Sequence, residues 1–187
     1  MPYVYHMVPK NMLGEQLIPL NELKTIDESL YHQYTKKYLN HQERKKLLTR
    51  QIPKMNCLWN DVIHFLPLHP SHVYAAIKDV GIPTKNDVIF YKIPISNLKL
   101  NKNAIFHYSK ETYRGPAAEM SMDEIELLDL MRYEELSAIP NDTVDYYIEE
   151  FKKGTQFGLF PFIPHILSLG RVNVSNVETI NWSDGIK

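Results

Sequence analysis

Hydrophobic and polar positions alternate at the start of the chain and then change to a helical period. Residues 3–8 alternate and are rich in β-forming side chains, which predicts a strand. Thr25 and Glu28 have the spacing of a capping box, and the apolar residues after them recur at helical spacing. The pattern predicts a helix over residues 26–50 that breaks near Asn40.

The middle of the chain predicts a short helix between strands. Ser71 stands in an N-cap position before apolar residues at helical spacing, and Gly81 follows them as a C-terminal stop. Residues 87–95 and 104–108 have the apolar and β-branched content of strands.

A second capping box opens the last third of the chain. Ser121 and Glu124 have the required spacing, which predicts a short helix through Met131. Residues 134–139 then predict a strand, which Pro140 ends.

The C-terminal region predicts one helix followed by paired strands. Asn141 or Asp142 caps a helix that stops at Gly154. Residues 162–181 alternate with a break at Gly170, which predicts a hairpin. Strands and helices are interspersed without a repeated βαβ unit, and this favours the α+β class over a doubly wound parallel sheet.

Composition places the chain among ordinary globular proteins. It has 187 residues, of which 44% are hydrophobic and 23% charged, and we expect one domain over residues 1–187. No apolar run approaches the roughly 18 residues of a membrane span, and the N-terminus lacks the regions of a signal peptide. The single cysteine, Cys57, fits a reducing compartment, so we expect a cytoplasmic protein.

The formal net charge of -1 hides an uneven distribution of charge. Residues 32–54 carry seven Lys and Arg against one acidic residue, whereas residues 119–150 carry eleven Asp and Glu against one Arg. A basic helix from Lys36 to Arg50 would suit nucleic-acid phosphates. The alternative is a solvated helix face that pairs with the acidic half, and the sequence pI near 6.7 favours this alternative.

Residues 56–72 carry the densest group of polar, ionisable and aromatic side chains. Convergent polar groups in an apolar lining are typical of a ligand pocket. His64, His69 and His72 would bind zinc only with a further donor such as Asp61, and their spacing matches no zinc signature. Cys57 is either a nucleophile near a histidine base or a small buried hydrophobic residue, and the second is more common.

Three further groups of residues are candidate binding or catalytic positions. Trp59 and Asn60 can stack on a ring and hydrogen-bond an amide or a ribose; the alternative is a core tryptophan beside a turn. In the first strand, His6 faces either the core or a cleft. Glu134 and Glu135 point to opposite sides of their predicted strand, so one of them points inward.

Three segments together resemble the ADP-ribosyltransferase family, and DarT-type DNA ADP-ribosyltransferases in particular. They are the opening strand Tyr5-His6-Met7-Val8, the strand, proline turn and helix from Val62 to Tyr74, and the glutamate-led stretch from Glu134 to Pro140. Their order along the chain agrees with that family, and together they cover 24 of the 187 residues.

The resemblance implies a split, mostly antiparallel β-core with flanking helices that grips NAD. His6, with Tyr5, would hydrogen-bond a ribose of NAD, and Glu135 or Glu134 would stabilise the oxocarbenium-like transition state as nicotinamide leaves. Trp59, Asn60 and His64 would hold the nicotinamide or the acceptor. In this sequence Arg114-Gly115-Pro116 is the candidate for the NAD phosphates, and Tyr91 is the candidate for the central position of the family's triad.

The leading hypothesis is therefore an ADP-ribosyltransferase-like protein that uses NAD as a substrate and acts on a nucleic-acid or protein acceptor. A second hypothesis is a non-enzymatic interaction domain, with a homodimer as one form. A third is a metal-dependent hydrolase that uses the histidine cluster.

Overall fold

The computed structural model describes residues 1–39, 42–115, 118–154 and 156–185. Helices and strands are interspersed in an α+β fold. The strands are β1 Tyr3–Met7, β2 Gln16–Leu17, β3 Gln51–Ile52, β4 Cys57–Leu58, β5 Val62–Phe65, β6 Ile89–Pro94, β7 Lys102–Phe106, β8 Ile125–Leu127, β9 His165–Leu169, β10 Val172–Asn173 and β11 Glu178–Asn181. The α-helices are α1 Leu20–Ile26, α2 Glu28–Leu39, α3 Gln42–Lys45, α4 Pro70–Val80 and α5 Asn141–Lys153. Within these ranges no helix is both long enough and apolar enough to cross a bilayer.

Two antiparallel sheets form the centre of the fold. The first has the order β1-β6-β11, with His6 opposite Tyr91. The second has the order β5-β9-β7-β8, with His64 opposite Leu167. The sheets meet where Tyr5 and Leu66 exchange two backbone hydrogen bonds of 2.9 Å each.

Alternation along β1 separates two parts of the core. Val4 packs with Ile63 and Phe65 of β5, whereas Tyr5 packs with α4, α5 and Trp182. A side chain on β1 therefore belongs either to the β5 side or to the α4 and α5 side of the molecule. This division decides which of the candidate site residues can meet.

Most of the predicted elements are present. The strands at residues 3–8, 87–95 and 104–108 are confirmed as β1, β6 and β7. The helices predicted to start at Ser71 and at Asn141 or Asp142 are present as α4 and α5, but their N-caps are His69 and Pro140, so the predicted caps are wrong. Gly81 and Gly154 end these helices with positive φ angles of 86° and 67°. Glycine adopts these angles without the steric cost that a Cβ brings.

The second capping box forms, but the helix predicted after it is wrong. Glu124 accepts a 2.8 Å hydrogen bond from the amide of Ser121, as the box requires. The turn is a single 3₁₀ turn, and the chain then enters β8, where Ile125 is fully buried and pairs with Phe106. Pairing with an open sheet edge has overridden a local helical signal.

Two β predictions near the C-terminus are also wrong. Residues 162–181 contain strands, but β9 pairs with β5 and β7 while β10 pairs with β2, so no hairpin forms between them. Residues 134–139 form no strand, and only an isolated bridge joins Leu136 to Leu68. The directions of the Glu134 and Glu135 side chains are therefore not set by the alternation of a strand.

The predicted helix over residues 26–50 begins differently from the prediction. Thr25 lies in α1, a helix that the pattern did not indicate, and the side chain of Asp27 caps α2 through a 2.9 Å bond from the amide of Leu30. The break expected near Asn40 lies outside the described residues, which omit Asn40 and His41. α3 and a 3₁₀ turn at Lys46–Leu48 follow.

Candidate functional site

A pocket of about 480 Å³ opens between β1 and β5, beside the point where the two sheets meet. One wall is His6 to Val8, the end of β1 and the residue after it, and the opposite wall is Val62 to His64 of β5. Beyond the Tyr5 and Leu66 bridge these strands share no further pairing in the part of the chain that the structure describes. The pocket is thus the gap left where the two strands part.

Helices α1 and α2 and residues 9–18 close the remaining sides. Leu20, Leu23 and Leu30 contribute an apolar cover, and Tyr34 hydrogen-bonds the backbone of Asn11. The lining is therefore largely hydrophobic, as ligand pockets of this size commonly are.

The charges around the pocket have one sign. Lys10 and Lys37 line it, and no Asp or Glu does so among the described residues. The Lys37 ammonium lies 5.1 Å from the centre of the Tyr38 ring, and burial lowers the pKa of Lys37 from its usual value. An anionic ligand would meet attraction here without a carboxylate to repel it.

His6 is held as a neutral hydrogen-bond acceptor. Its Nδ1–H donates to the backbone oxygen of Met7 at 2.7 Å, which leaves Nε2 without a proton. Burial lowers the pKa of His6 to about 4, so the ring is uncharged at neutral pH. Nε2 can therefore accept a hydrogen bond from a ligand hydroxyl.

Two polar atoms beside the pocket lack partners. Asn60 is 2% exposed and its Nδ2 donates to nothing within the described structure, and the same holds for Nε2 of His64. An unpaired buried polar group costs about 1–3 kcal/mol. Burial, and next the neighbouring His165, keep the pKa of His64 well below its usual value. A ligand that supplies an acceptor for Asn60 would recover part of that cost.

Trp59 separates this pocket from a second, smaller one. Its ring lies 4.2 Å from the ring of His64 but belongs to the lining of a cavity of about 130 Å³. Arg50 and Phe106 line the same smaller cavity. Of the five residues expected to bind a cofactor, His6, Asn60 and His64 therefore share the larger pocket, and Trp59 lies behind His64.

Tyr5, the fifth of these residues, faces away from the pocket together with the expected catalytic carboxylate. The Tyr5 hydroxyl donates to Glu135 at 2.8 Å, and the amide of Tyr3 donates to the other Glu135 oxygen at 2.7 Å. Burial, and next this hydrogen bond, raise the pKa of Tyr5. Glu135 thus lies on the α4 side of β1, opposite His6, and its neighbour Glu134 is exposed. Neither glutamate lines the pocket.

The histidine cluster does not converge in space. His69 caps α4, with its Nδ1 bonded to the hydroxyl of Ser71 at 2.7 Å, and its ring contacts Tyr5 rather than His64. Within the described ranges no three His, Cys, Asp or Glu side chains are grouped to hold a metal ion. Asp61 accepts bonds from Asn21 and from the amide of Leu58, which makes it a link between α1 and the turn before β5.

Cys57 packs in the core. It is 9% exposed, and burial raises the pKa of its thiol to about 11. The thiol is therefore protonated at neutral pH, which favours the structural interpretation over the nucleophile.

The remaining family positions lie apart from the pocket lining. Tyr91 pairs with His6 across the first sheet, and its hydroxyl is 3.9 Å from the sulfur of Met12. Arg114 and Gly115 line the smaller cavity, while Pro116 lies outside the described residues. The basic residues from Lys36 to Arg50 lie in α2, in α3, in the 3₁₀ turn at Lys46–Leu48 and just after it.

The sequence did not indicate the residues that cover the pocket. In the sequence Lys37 stands out only as one charge of a basic run, and α1 is not predicted although Leu20, Leu23 and Ile26 recur at helical spacing. The signal that could have indicated this cover is the helical spacing of the apolar residues that include Leu23, Leu30 and Tyr34, which line the pocket from α1 and α2.

Comparisons of the chain with protein-family models, with curated proteins and with solved structures find no match.

Proposed function

We propose that this protein is an ADP-ribosyltransferase-like protein that binds NAD in the pocket between β1 and β5. The observation that carries the proposal is the parting of these two strands beside His6. The resemblance implies a split β-core that binds NAD, and this chain has an apolar pocket of about 480 Å³ with convergent polar groups at such a split.

The chemistry of the lining suits a dinucleotide. A volume of about 480 Å³ falls within the range of roughly 300–1,000 Å³ for small-molecule sites. Lys10 and Lys37 offer positive charge for a pyrophosphate, and His6 offers an acceptor for a ribose hydroxyl. Asn60 offers an unpaired amide donor for a base or nicotinamide carbonyl.

Transfer of ADP-ribose requires more than this pocket contains. An oxocarbenium-like transition state needs a pre-placed anion, and Glu135 is engaged on the other side of β1. The proposal is therefore one of nucleotide binding first, with transfer to a nucleic-acid or protein acceptor as its second part. The basic residues from Lys36 to Arg50 are the candidate contact for a nucleic-acid acceptor.

Calorimetric titration with NAD and with ADP-ribose tests the first part. Lys37→Met should weaken binding by roughly ten- to hundredfold, because a hydrogen bond to a charged group contributes about 1.5–3 kcal/mol. Lys36→Met is the matched control, since Lys36 is the preceding residue of α2, carries the same charge and does not line the pocket. Equal weakening by both variants would show a general charge effect instead of a site.

Release of nicotinamide from NAD tests the second part. Product formed by the wild-type protein and lost in His6→Ala, with the fold retained, supports transfer or hydrolysis in this pocket. Binding without release would leave a nucleotide-binding protein. Absence of binding by a folded protein would overturn the proposal and favour the interaction domain.

A further inference from the structure

The smaller cavity on the other side of Trp59 holds a cation with unused hydrogen-bonding capacity. The guanidinium carbon of Arg50 lies 4.8 Å from the centre of the Trp59 ring and 5.7 Å from that of Phe106. Nε of Arg50 is buried and has no partner within the described structure, and Arg50 forms no ion pair there. Burial lowers the pKa of Arg50 and the Glu124 carboxylate of the same lining opposes this effect, so the ring faces and Glu124 together stabilise the charge.

The local fold holds Arg50 in place. β3 and β4 pair as a hairpin, and the amide of Trp59 donates to the backbone oxygen of Arg50 at 2.8 Å. The arginine and the tryptophan therefore lie side by side at the base of the hairpin. A guanidinium fixed in this way loses little further conformational freedom when it binds a planar oxyanion.

Glu119, Glu124, Arg114 and His165 also line the cavity, and the last three already have hydrogen-bond partners. Glu124 accepts bonds of 2.8 Å from both the Thr112 hydroxyl and the Ser121 amide, and Nη1 of Arg114 donates to two backbone oxygens. His165 donates through Nδ1 to the backbone of Ile163. Nε2 of His165 consequently stays an acceptor within the cavity.

We propose that this cavity, formed around Arg50, Trp59, Phe106 and His165, binds the oxyanion of a small molecule or of a larger ligand's terminal group. The oxyanion is a carboxylate or a phosphate, and Arg50 donates to it. The cavity of about 130 Å³ has room for such a group, because one water needs only about 10–15 Å³. The inference does not depend on the proposed NAD site.

Tryptophan fluorescence provides a direct test. Trp59 lines the cavity, whereas the other tryptophan, Trp182, is 1% exposed and packs in a different core cluster. Titration with sodium phosphate, and separately with sodium acetate, at constant ionic strength should give a saturable change in emission. Trp59→Phe should abolish the change. The arm that saturates at the lower concentration identifies the preferred anion.

Arg50→Gln and Arg132→Gln make a matched pair. Both remove one positive charge, but the Arg132 side chain is 88% exposed and does not line the cavity. Arg50→Gln should raise the dissociation constant at least tenfold, equivalent to about 1.4 kcal/mol, and Arg132→Gln should change it less than twofold. Equal dissociation constants for wild type and Arg50→Gln, or no saturable signal in the wild type, would overturn the proposal.

A second measurement uses the wild-type protein and covers the case in which Arg50→Gln does not fold. The Nε–H resonance of Arg50, assigned with Arg50→Lys, should shift on addition of the same anion and saturate with the same dissociation constant. An Arg50 resonance that does not move while other arginine signals do would place the anion elsewhere and refute the inference.

Discussion

The substitution Glu135→Ala tests whether the Glu135 carboxylate has a structural or a catalytic role. Each Glu135 oxygen accepts one hydrogen bond, from the Tyr3 amide at 2.7 Å and the Tyr5 hydroxyl at 2.8 Å, and Tyr5 is only 2% exposed. Hydrogen bonds to a charged group contribute about 1.5–3 kcal/mol each. Water can replace part of the bond at Tyr3, so we expect a loss of about 2–4 kcal/mol in the free energy of unfolding.

Urea denaturation followed by circular dichroism measures this loss, and thermal unfolding should show a midpoint lower by about 4–16 °C for a chain of this length. Glu134→Ala is the matched control because Glu134 is the exposed neighbour. NAD affinity of the folded Glu135→Ala protein should stay close to that of the wild type. A variant as stable as the wild type but unable to release nicotinamide would refute this argument and restore the catalytic role.

Two further predictions concern buried ionisable groups. Burial lowers the pKa of His165 to about 4, so the free energy of unfolding should fall as the pH drops from about 6.5 towards 4. His165→Phe should flatten that part of the profile of stability against pH, and an unchanged slope would contradict the burial of His165. Cys57 should react with a thiol reagent at pH 8 only at the rate of unfolding, because burial raises the pKa of its thiol to about 11; fast stoichiometric labelling of the native protein would disprove its place in the core.

Local signals predicted the elements whose tertiary surroundings agree with them. The glycine stops after α4 and α5 succeed because a left-handed residue ends a helix wherever it occurs. The Ser121 box fails as a helix signal because the edge of β7 offers Ile125 a buried pairing position that no local pattern reveals. β9 and β10 likewise pair with β7 and β2, strands distant in sequence that the local pattern does not indicate as partners.

The candidate site was predictable only where a strand fixes the direction of a side chain. His6 and His64 lie on β1 and β5, and they face one pocket because those strands part beside them. Glu135 lies in a stretch without strand geometry, so its direction depends on its bonds to Tyr3 and Tyr5. The sequence shows Arg50 only as part of a charged run, since its position over Trp59 depends on the hairpin that follows it.

The histidines and the cations of the two cavities have different electrostatic roles. Burial lowers the pKa values of His6 and His165 to about 4 and that of His64 also below its usual range. All three are therefore neutral at pH 7 and serve as hydrogen-bonding groups rather than as charges. Positive charge is left to Lys37 on one side of the Trp59 and His64 rings and to Arg50 on the other. Because the Arg50 charge does not depend on a histidine proton, acetate binding in the smaller cavity should be insensitive to pH between about 6 and 8.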